Sequence, residues 1–284
     1  MQARPLEPAL YVVATPIGHL ADISLRALET LAACDLVACE DTRTSRVLLD
    51  RYGISTKTVS YHVHNEASSG ERLLDDIVSG KSVALISDAG TPLISDPGER
   101  ITALAKERGI SVIPIPGASA VLAALAASGI ATERFFFDGF LPAKQGQRRS
   151  RLASLASLDA TLVFYEAPHR LLETLEDMKS VYGETRVGAV CRELTKSFEE
   201  VTRAGFGALL AHYSVPARIR GEIVIVVAPP AEQATGKADI DSLLLALTAE
   251  MPASKAAAEA SRLTGEPKGE LYKRILAMKA GGNG

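Results

Sequence analysis

The chain has 284 residues, 47% hydrophobic and 23% charged, a balance that fits a globular protein and argues against a disordered or membrane-spanning one. Its formal net charge is -3 and its isoelectric point is near 6.0, so the molecule as a whole lacks the basic signature of a strong nucleic-acid binder. Any contact with nucleic acid must therefore be local.

No apolar stretch approaches the roughly 20 residues that a bilayer span requires. Met1 to Pro8 also lacks the basic-then-apolar layout of a secretory signal, so a cytoplasmic protein is expected. Cys34, Cys39 and Cys191 form neither a C-x-x-C pair nor a disulfide framework, which fits buried thiols in a reducing compartment.

From Leu10 onward, short β-branched runs alternate with longer amphipathic or Ala/Leu-rich segments, the pattern of an α/β fold with parallel strands and helical crossovers. Strands are expected at Leu10 to Ala14, Leu36 to Cys39, Thr58 to Tyr61, Val83 to Ser87 and Ser111 to Ile115. Pro114-Ile115-Pro116-Gly117 ends this series, because two prolines and a glycine interrupt regular structure, and a first domain is drawn over 1–116. A second domain over 117–229 carries strand patterns at Phe135 to Asp138, Thr161 to Tyr165, Val187 to Cys191 and Glu222 to Ala228. Beyond Pro229-Pro230, helical periodicity over Asp239 to Glu250, Ala253 to Leu263 and Lys268 to Met278 predicts a small helical appendix, 230–284. Thr264-Gly265-Glu266-Pro267 reads as a helix stop and restart, so a helix-turn-helix hairpin is expected there.

The run Ser87-Asp88-Ala89-Gly90-Thr91-Pro92-Leu93-Ile94-Ser95-Asp96-Pro97-Gly98 occupies a strand end, where open α/β sheets bind ligands. It is not G-x-G-x-x-G, and its prolines remove N–H donors that a phosphate cradle would use. A ligand read by carbonyls and van der Waals contact fits better. Alone, the run is equally well an ordinary tight loop with Asp88 and Thr91 as local caps. Three polar clusters share its position: Glu40-Asp41-Thr42-Arg43, Tyr165-Glu166-Ala167-Pro168-His169-Arg170 and Arg192-Glu193-Leu194-Thr195-Lys196. Each could be a helix N-cap on a solvated loop, whereas together they outline a cleft.

Taken in order, these segments resemble the tetrapyrrole methylase superfamily of class III methyltransferases, and within it the bacterial 16S rRNA (cytidine 2′-O)-methyltransferases. The resemblance also runs through Val12-Val13-Ala14-Thr15-Pro16-Ile17-Gly18-His19-Leu20-Ala21-Asp22-Ile23, Pro116-Gly117-Ala118-Ser119-Ala120 and Gly221-Glu222. It extends from Leu10 to Ala228 in unbroken order, with one departure at His19, where asparagine is expected. The resemblance implies two αβα domains with S-adenosylmethionine in the cleft between them, and a homodimer. Carried over by position, the cofactor pocket includes Pro16, Asp88, Gly90, Ile94, Ser119, Ala120, Tyr165 and Glu166.

A ribose 2′-hydroxyl is a poor nucleophile, so a carboxylate accepting its proton or a lysine stabilising the developing alkoxide would assist transfer. Asp41, Glu166, Glu193 and Lys196 are the candidates, and Glu193 with Lys196 is also readable as a structural ion pair. Substrate contacts are expected from Arg43, His169 and Arg170, and from the basic stretch with Lys144, Arg148, Arg149 and Arg151, read as a loop. Arg218 and Arg220 add a second patch, and the appendix adds Lys255, Arg262, Lys268, Lys273, Arg274 and Lys279. His62 and His64, expected on one face of a strand, lack an evident third ligand, so no metal is expected.

The expected activity is 2′-O-methylation of a cytidine in the decoding region of 16S rRNA, on the small ribosomal subunit, with neither DNA nor membrane as partner. The alternatives are carbon methylation of a tetrapyrrole and a non-catalytic ribosome-binding factor that retains the cleft. A nicotinamide-dependent oxidoreductase is set aside, because the first strand ends in Thr15-Pro16-Ile17-Gly18 rather than a glycine fingerprint.

Overall fold

The computed structural model describes residues 5–215, 219–230 and 237–281, and it divides into two compact units, Met1–Pro230 and Ala231–Gly284. Arg218 and the side chain of Lys279 lie outside the described residues.

The larger unit holds two five-stranded sheets. In the first, β1 (Leu10–Val13), β2 (Leu36–Cys39), β3 (Thr58–Ser60), β4 (Val83–Ile86) and β5 (Val112–Ile115) run parallel in the order β3-β2-β4-β1-β5. Every residue of β1, β2 and β4 is buried, which is why these strands read as continuous apolar runs rather than alternating ones. Helices α1 (Leu25–Ala33), α2 (Thr42–Arg51), α3 (Glu66–Val78) and α4 (Glu99–Glu107) join them. Ser24 caps α1 by accepting from the Ala27 amide at 3.2 Å, and Asp41 caps α2 by accepting from the Arg43 amide at 2.8 Å. Separate apolar clusters cover the two faces, one around Leu31 and Leu49, the other around Leu74 and Ile101.

The second sheet comprises β6 (Phe135–Phe140), β7 (Thr161–Glu166), β8 (Val187–Arg192), β9 (Glu200–Gly205) and β10 (Ile223–Val227), in the order β6-β7-β10-β8-β9. It is mixed. β10 runs antiparallel to both β7 and β8, and β9 pairs antiparallel with β8. β9 is not expected from the sequence, because Glu200-Val201-Thr202-Arg203-Ala204-Gly205 has no apolar run and sits at a sheet edge. Helices α5 (Ala120–Ser128), α6 (Gln145–Leu155), α7 (Leu171–Tyr182) and α8 (Phe206–Tyr213) accompany this sheet. One of its faces packs Val163, Ala189 and Val226 against α5 and Ile17, so the loop after β1 enters the second core.

The structure departs from the sequence expectation at two places. The basic stretch from Lys144 to Arg151 is not a loop: it forms the start of α6, with Arg148 turned inward and 1% exposed. His62 and His64 lie in the turn after β3, not on a strand face, with their rings 5.9 Å apart.

The smaller unit is a three-helix assembly of α9 (Lys237–Glu250), α10 (Ala253–Thr264) and α11 (Lys268–Gly281), around Ile240, Leu244, Ala256, Ala257, Ala260, Leu271 and Ile275. Gly265 ends α10 in the left-handed region at φ 75°, a conformation that favours glycine, and α11 restarts directly after Pro267. An Arg274 to Asp241 ion pair at 2.6 Å ties α11 to α9.

Candidate functional site

The loops after β1, β2, β4 and β5 meet at the carboxyl edge of the first sheet. Thr15 and Gly90 exchange backbone hydrogen bonds of 2.8 and 3.0 Å, so the loop after β4 is stitched to the end of β1. The Thr15 hydroxyl donates to the Ser87 carbonyl at 3.1 Å, and that of Thr91 donates to the Ala118 carbonyl at 3.3 Å. Gly90, Leu93, Ser95 and Gly98 have φ of 80°, 75°, 65° and 135°. For Leu93 and Ser95 this conformation costs about 1–3 kcal/mol each, and such strain gathers at ligand sites.

The strained loop forms one wall of a cleft of about 380 Å³, within the range of small-molecule sites. Ile17, Ile94, Phe140, Tyr165 and Val224 supply apolar surface, while Ser95, Asp96 and Glu222 supply polar atoms. Tyr165 is held edge-on between Phe137 and Phe140 at 4.9 and 5.5 Å, and burial pushes its phenol up to about 12. Asp96 is pushed up to about 6, first by burial and then by the charges of Glu40 and Asp88. Burial and the Asp88 charge raise Glu40 as well.

Of the eight expected cofactor residues, Gly90, Ile94, Ser119, Ala120, Tyr165 and Glu166 line this cleft. Pro16 and Asp88 line an adjoining trough of about 360 Å³ instead. Asp96 joins the cleft residues without a sequence signal of its own beyond being a second acid eight residues after Asp88, because its environment is a tertiary property.

The four expected catalytic residues separate into distinct roles. Asp41 caps α2 and accepts from the Arg43 guanidinium at 2.7 and 3.1 Å, which holds its carboxyl down at about 2. A proton acceptor that acidic is a weak base. Glu166 is buried, accepting from the Ala167 amide at 2.8 Å and the Thr174 hydroxyl at 2.5 Å, with Arg170 at 3.4 Å. Its carboxylate clamps the turn after β7.

Glu193 and Lys196 form the ion pair, at 3.0 Å, and Glu222 joins it at 3.1 Å from the Lys196 ammonium. Burial opposes the charge on Lys196, yet the hydrogen bonds it donates to Glu193 and Glu222 leave its pKa above the ordinary lysine value. Burial likewise opposes ionisation of Glu193, but the Glu222 amide and Lys196 outweigh it and lower its pKa. Lys196 is thus a cation at neutral pH, suited to stabilising an anion rather than accepting a proton. Glu193 and Thr195 have φ of 51° and 64°, and a Cβ on Gly18 would sit 2.6 Å from Lys196 Cγ, so the loop after β1 closes directly on this turn.

The expected RNA contacts are divided. Arg43 is 89% exposed apart from its pair with Asp41, and His169 and Lys144 are exposed. Arg170 donates to the Leu141 and Pro142 carbonyls at 2.7 and 3.2 Å and stays largely inside. Arg148 cannot meet RNA in this structure: its Nε donates to Asp177 at 2.7 Å in the interior. Arg149 shares Asp177 at 2.7 Å, and Arg151 is paired with Asp138, so much of this patch is neutralised by its own neighbours. Arg220 is exposed.

Residues 9–210 match the family described as Tetrapyrrole (Corrin/Porphyrin) Methylases, and residues 234–279 match the RsmI C-terminal HTH domain. The chain is 58% identical over 277 residues to Ribosomal RNA small subunit methyltransferase I of Mesorhizobium japonicum, covering 98% of this chain and 94% of that protein. Its namesake in Escherichia coli O157:H7 is 46% identical, with 95% of each chain covered. A cobalt precorrin-4 methyltransferase shares the fold at a TM-score of 0.60 and 18% identity, covering 78% of this chain and 95% of that one. Uroporphyrin-III C-methyl transferase from Thermus thermophilus, complexed with S-adenosyl homocysteine, shares it at 0.57 and 17%, covering 78% and 97%. The chain belongs to the tetrapyrrole methylase family, in the branch of the small-subunit ribosomal RNA methyltransferases.

Proposed function

We propose that this chain transfers a methyl group from S-adenosylmethionine to the 2′-hydroxyl of a cytidine ribose in the decoding region of 16S rRNA, on the small ribosomal subunit, in the cytoplasm and as a homodimer. In this reading residues 1–116 and 117–229 are the two halves around the donor site, and 230–284 assists RNA binding.

The observation that carries the reading is adjacency. The 380 Å³ cleft and the 360 Å³ trough share Ile17, Ala89 and Glu222 as a common wall, which supports reading them as neighbouring donor and acceptor chambers. The cleft fits the donor. Ile94, Phe140 and Tyr165 offer apolar surface to an adenosine, Gly90 at φ 80° presents backbone without a side chain, and Asp96 can balance a cation. When bound, S-adenosylmethionine supplies an electrophilic methyl on its sulfonium.

The protein's own part is positioning and charge. The trough carries Lys196 on its wall, a cation fixed by two carboxylates that can stabilise an alkoxide as it develops. In this reading Glu222, on the wall common to both chambers, would take the hydroxyl proton. Asp41 and Glu166 act as supports, the first capping α2 and the second clamping the turn after β7.

Incubating the protein and methyl-labelled S-adenosylmethionine with unmodified small subunits, naked 16S rRNA and a uroporphyrinogen tests the reading. Label should enter the subunits. Label only in the tetrapyrrole would favour carbon methylation, and donor binding with no transfer to any of them would favour a non-catalytic binding factor.

A further inference from the structure

A third depression continues the series. The 360 Å³ trough shares Gly18, Leu20 and Lys196 with an outer groove of about 560 Å³, whose remaining walls include His19, Arg51, Tyr52, Thr195 and Ser197. Cleft, trough and groove therefore lie in succession, each sharing wall residues with the next, and polarity changes along the series. The cleft is walled mainly by aliphatic and aromatic side chains, whereas in the groove the hydroxyls of Tyr52, Thr195 and Ser197 and the nitrogens of His19, Arg51 and Lys196 share the wall with Gly18, Leu20 and Ala21.

The groove is a built feature. Tyr52 donates its hydroxyl to the Leu20 carbonyl at 2.9 Å, and the His19 amide donates to the Thr195 hydroxyl at 3.0 Å. The Thr195 amide is fixed in turn by Glu199 at 2.6 Å. Two donors are left over. Lys196 already faces two carboxylates, so its charge is balanced. Arg51, the last residue of α2, is exposed and has no ion pair or hydrogen bond among the described residues. The ring of His19 accepts the Ala21 amide on Nδ1 at 3.3 Å, so the neutral ring carries its proton on Nε2 and can donate from there.

We infer that this outer groove binds the RNA nucleotide next to the one methylated, with its phosphate held by the Arg51 guanidinium and His19 Nε2–H. The volume suits one nucleotide, and a planar guanidinium beside a neutral N–H donor suits a phosphodiester. The inference rests on the proposed action on RNA, and it adds a specific anchor: contact here threads the chain so that one ribose falls in the trough beside Lys196. Neither residue reaches the donor cleft, so donor binding should not depend on them.

The test measures binding of unmodified small subunits in the presence of S-adenosylhomocysteine, as a function of salt, with donor affinity by calorimetry. Arg51→Gln should raise the subunit Kd roughly tenfold and lower the salt slope by about one, with donor affinity unchanged. His19→Ala should weaken subunit binding less, and His19→Asn should restore it, because an amide can both accept from Ala21 and donate outward. Lys106→Gln, on α4 and outside these cavities, controls for charge loss and should behave as wild type. Wild-type Kd and salt slope in Arg51→Gln would overturn the inference. Arg51-dependent binding without methyl transfer by the wild type would keep the groove and reject the enzymatic reading.

Discussion

Lys196 Nζ lies 3.1 Å from Glu222 Oε2, linking the turn after β8 to the residue just before β10. Both side chains line the 360 Å³ trough, and Glu222 also lines the 380 Å³ cleft, so this pair sits at the wall that the two cavities share, where the proposed transfer would take place. Gly221, at φ 78°, places Glu222 there, and a Cβ on Gly221 would fall on the Glu193 carboxylate. Local backbone, ion pair and proposed chemistry thus converge on one turn.

Lys196→Met should retain donor binding and lower kcat by about 10²-fold, the scale of one lost charge-stabilising donor. Because the Lys196 pKa is raised, its charge is lost only as pH rises beyond the usual lysine range. Wild-type kcat should therefore show no Lys196 titration between about pH 6 and 9. Single-turnover rates across that window check this.

Asp96 behaves in the opposite sense. With its folded pKa near 6, the unfolded chain ionises first, so this carboxyl lowers stability as pH rises from about 4 and does so fully above 6. Asp96→Asn should be more stable than wild type by about 1–2 kcal/mol at pH 7.5 and equal to it near pH 4. Its donor affinity should fall, and wild-type affinity should fall as pH drops through 6. Denaturant melts and calorimetry at the two pH values measure both.

Glu166→Gln should act on folding. Its carboxylate takes the Ala167 amide and the Thr174 hydroxyl inside the protein, so the variant should lose about 1–3 kcal/mol without a comparable loss of turnover in the folded fraction. A large drop in kcat at unchanged stability would return Glu166 to the chemistry.

Arg148→Met should cost about 3 kcal/mol, because it leaves buried Asp177 short of one cation. The salt dependence of subunit binding should stay at the wild-type slope. A reduced slope would put Arg148 back among the RNA contacts.

Strands β1, β2 and β4 of the first sheet were legible because a fully buried parallel strand is an uninterrupted apolar run, as in Leu36 to Cys39. The strand-end clusters were legible because Gly, Pro and acids cannot continue such runs. β9 was not, since an edge strand is defined by its partner β8 rather than by its own residues. Arg148 and Arg151 look alike in sequence, and only the rotation of α6 sends one inward to Asp177 and the other outward to Asp138. The groove around Arg51 was equally hidden, because its walls come from residues 18–21, 51–52 and 195–197, and their meeting is a tertiary event.

The central claim is tested most directly by the identity of the methylated nucleoside. Small subunits treated with the protein and S-adenosylmethionine are digested to nucleosides and resolved by mass spectrometry against authentic standards. The expected product is 2′-O-methylcytidine at one decoding-region position, lost in Lys196→Met. A methyl on the base, or none on the RNA, would contradict it.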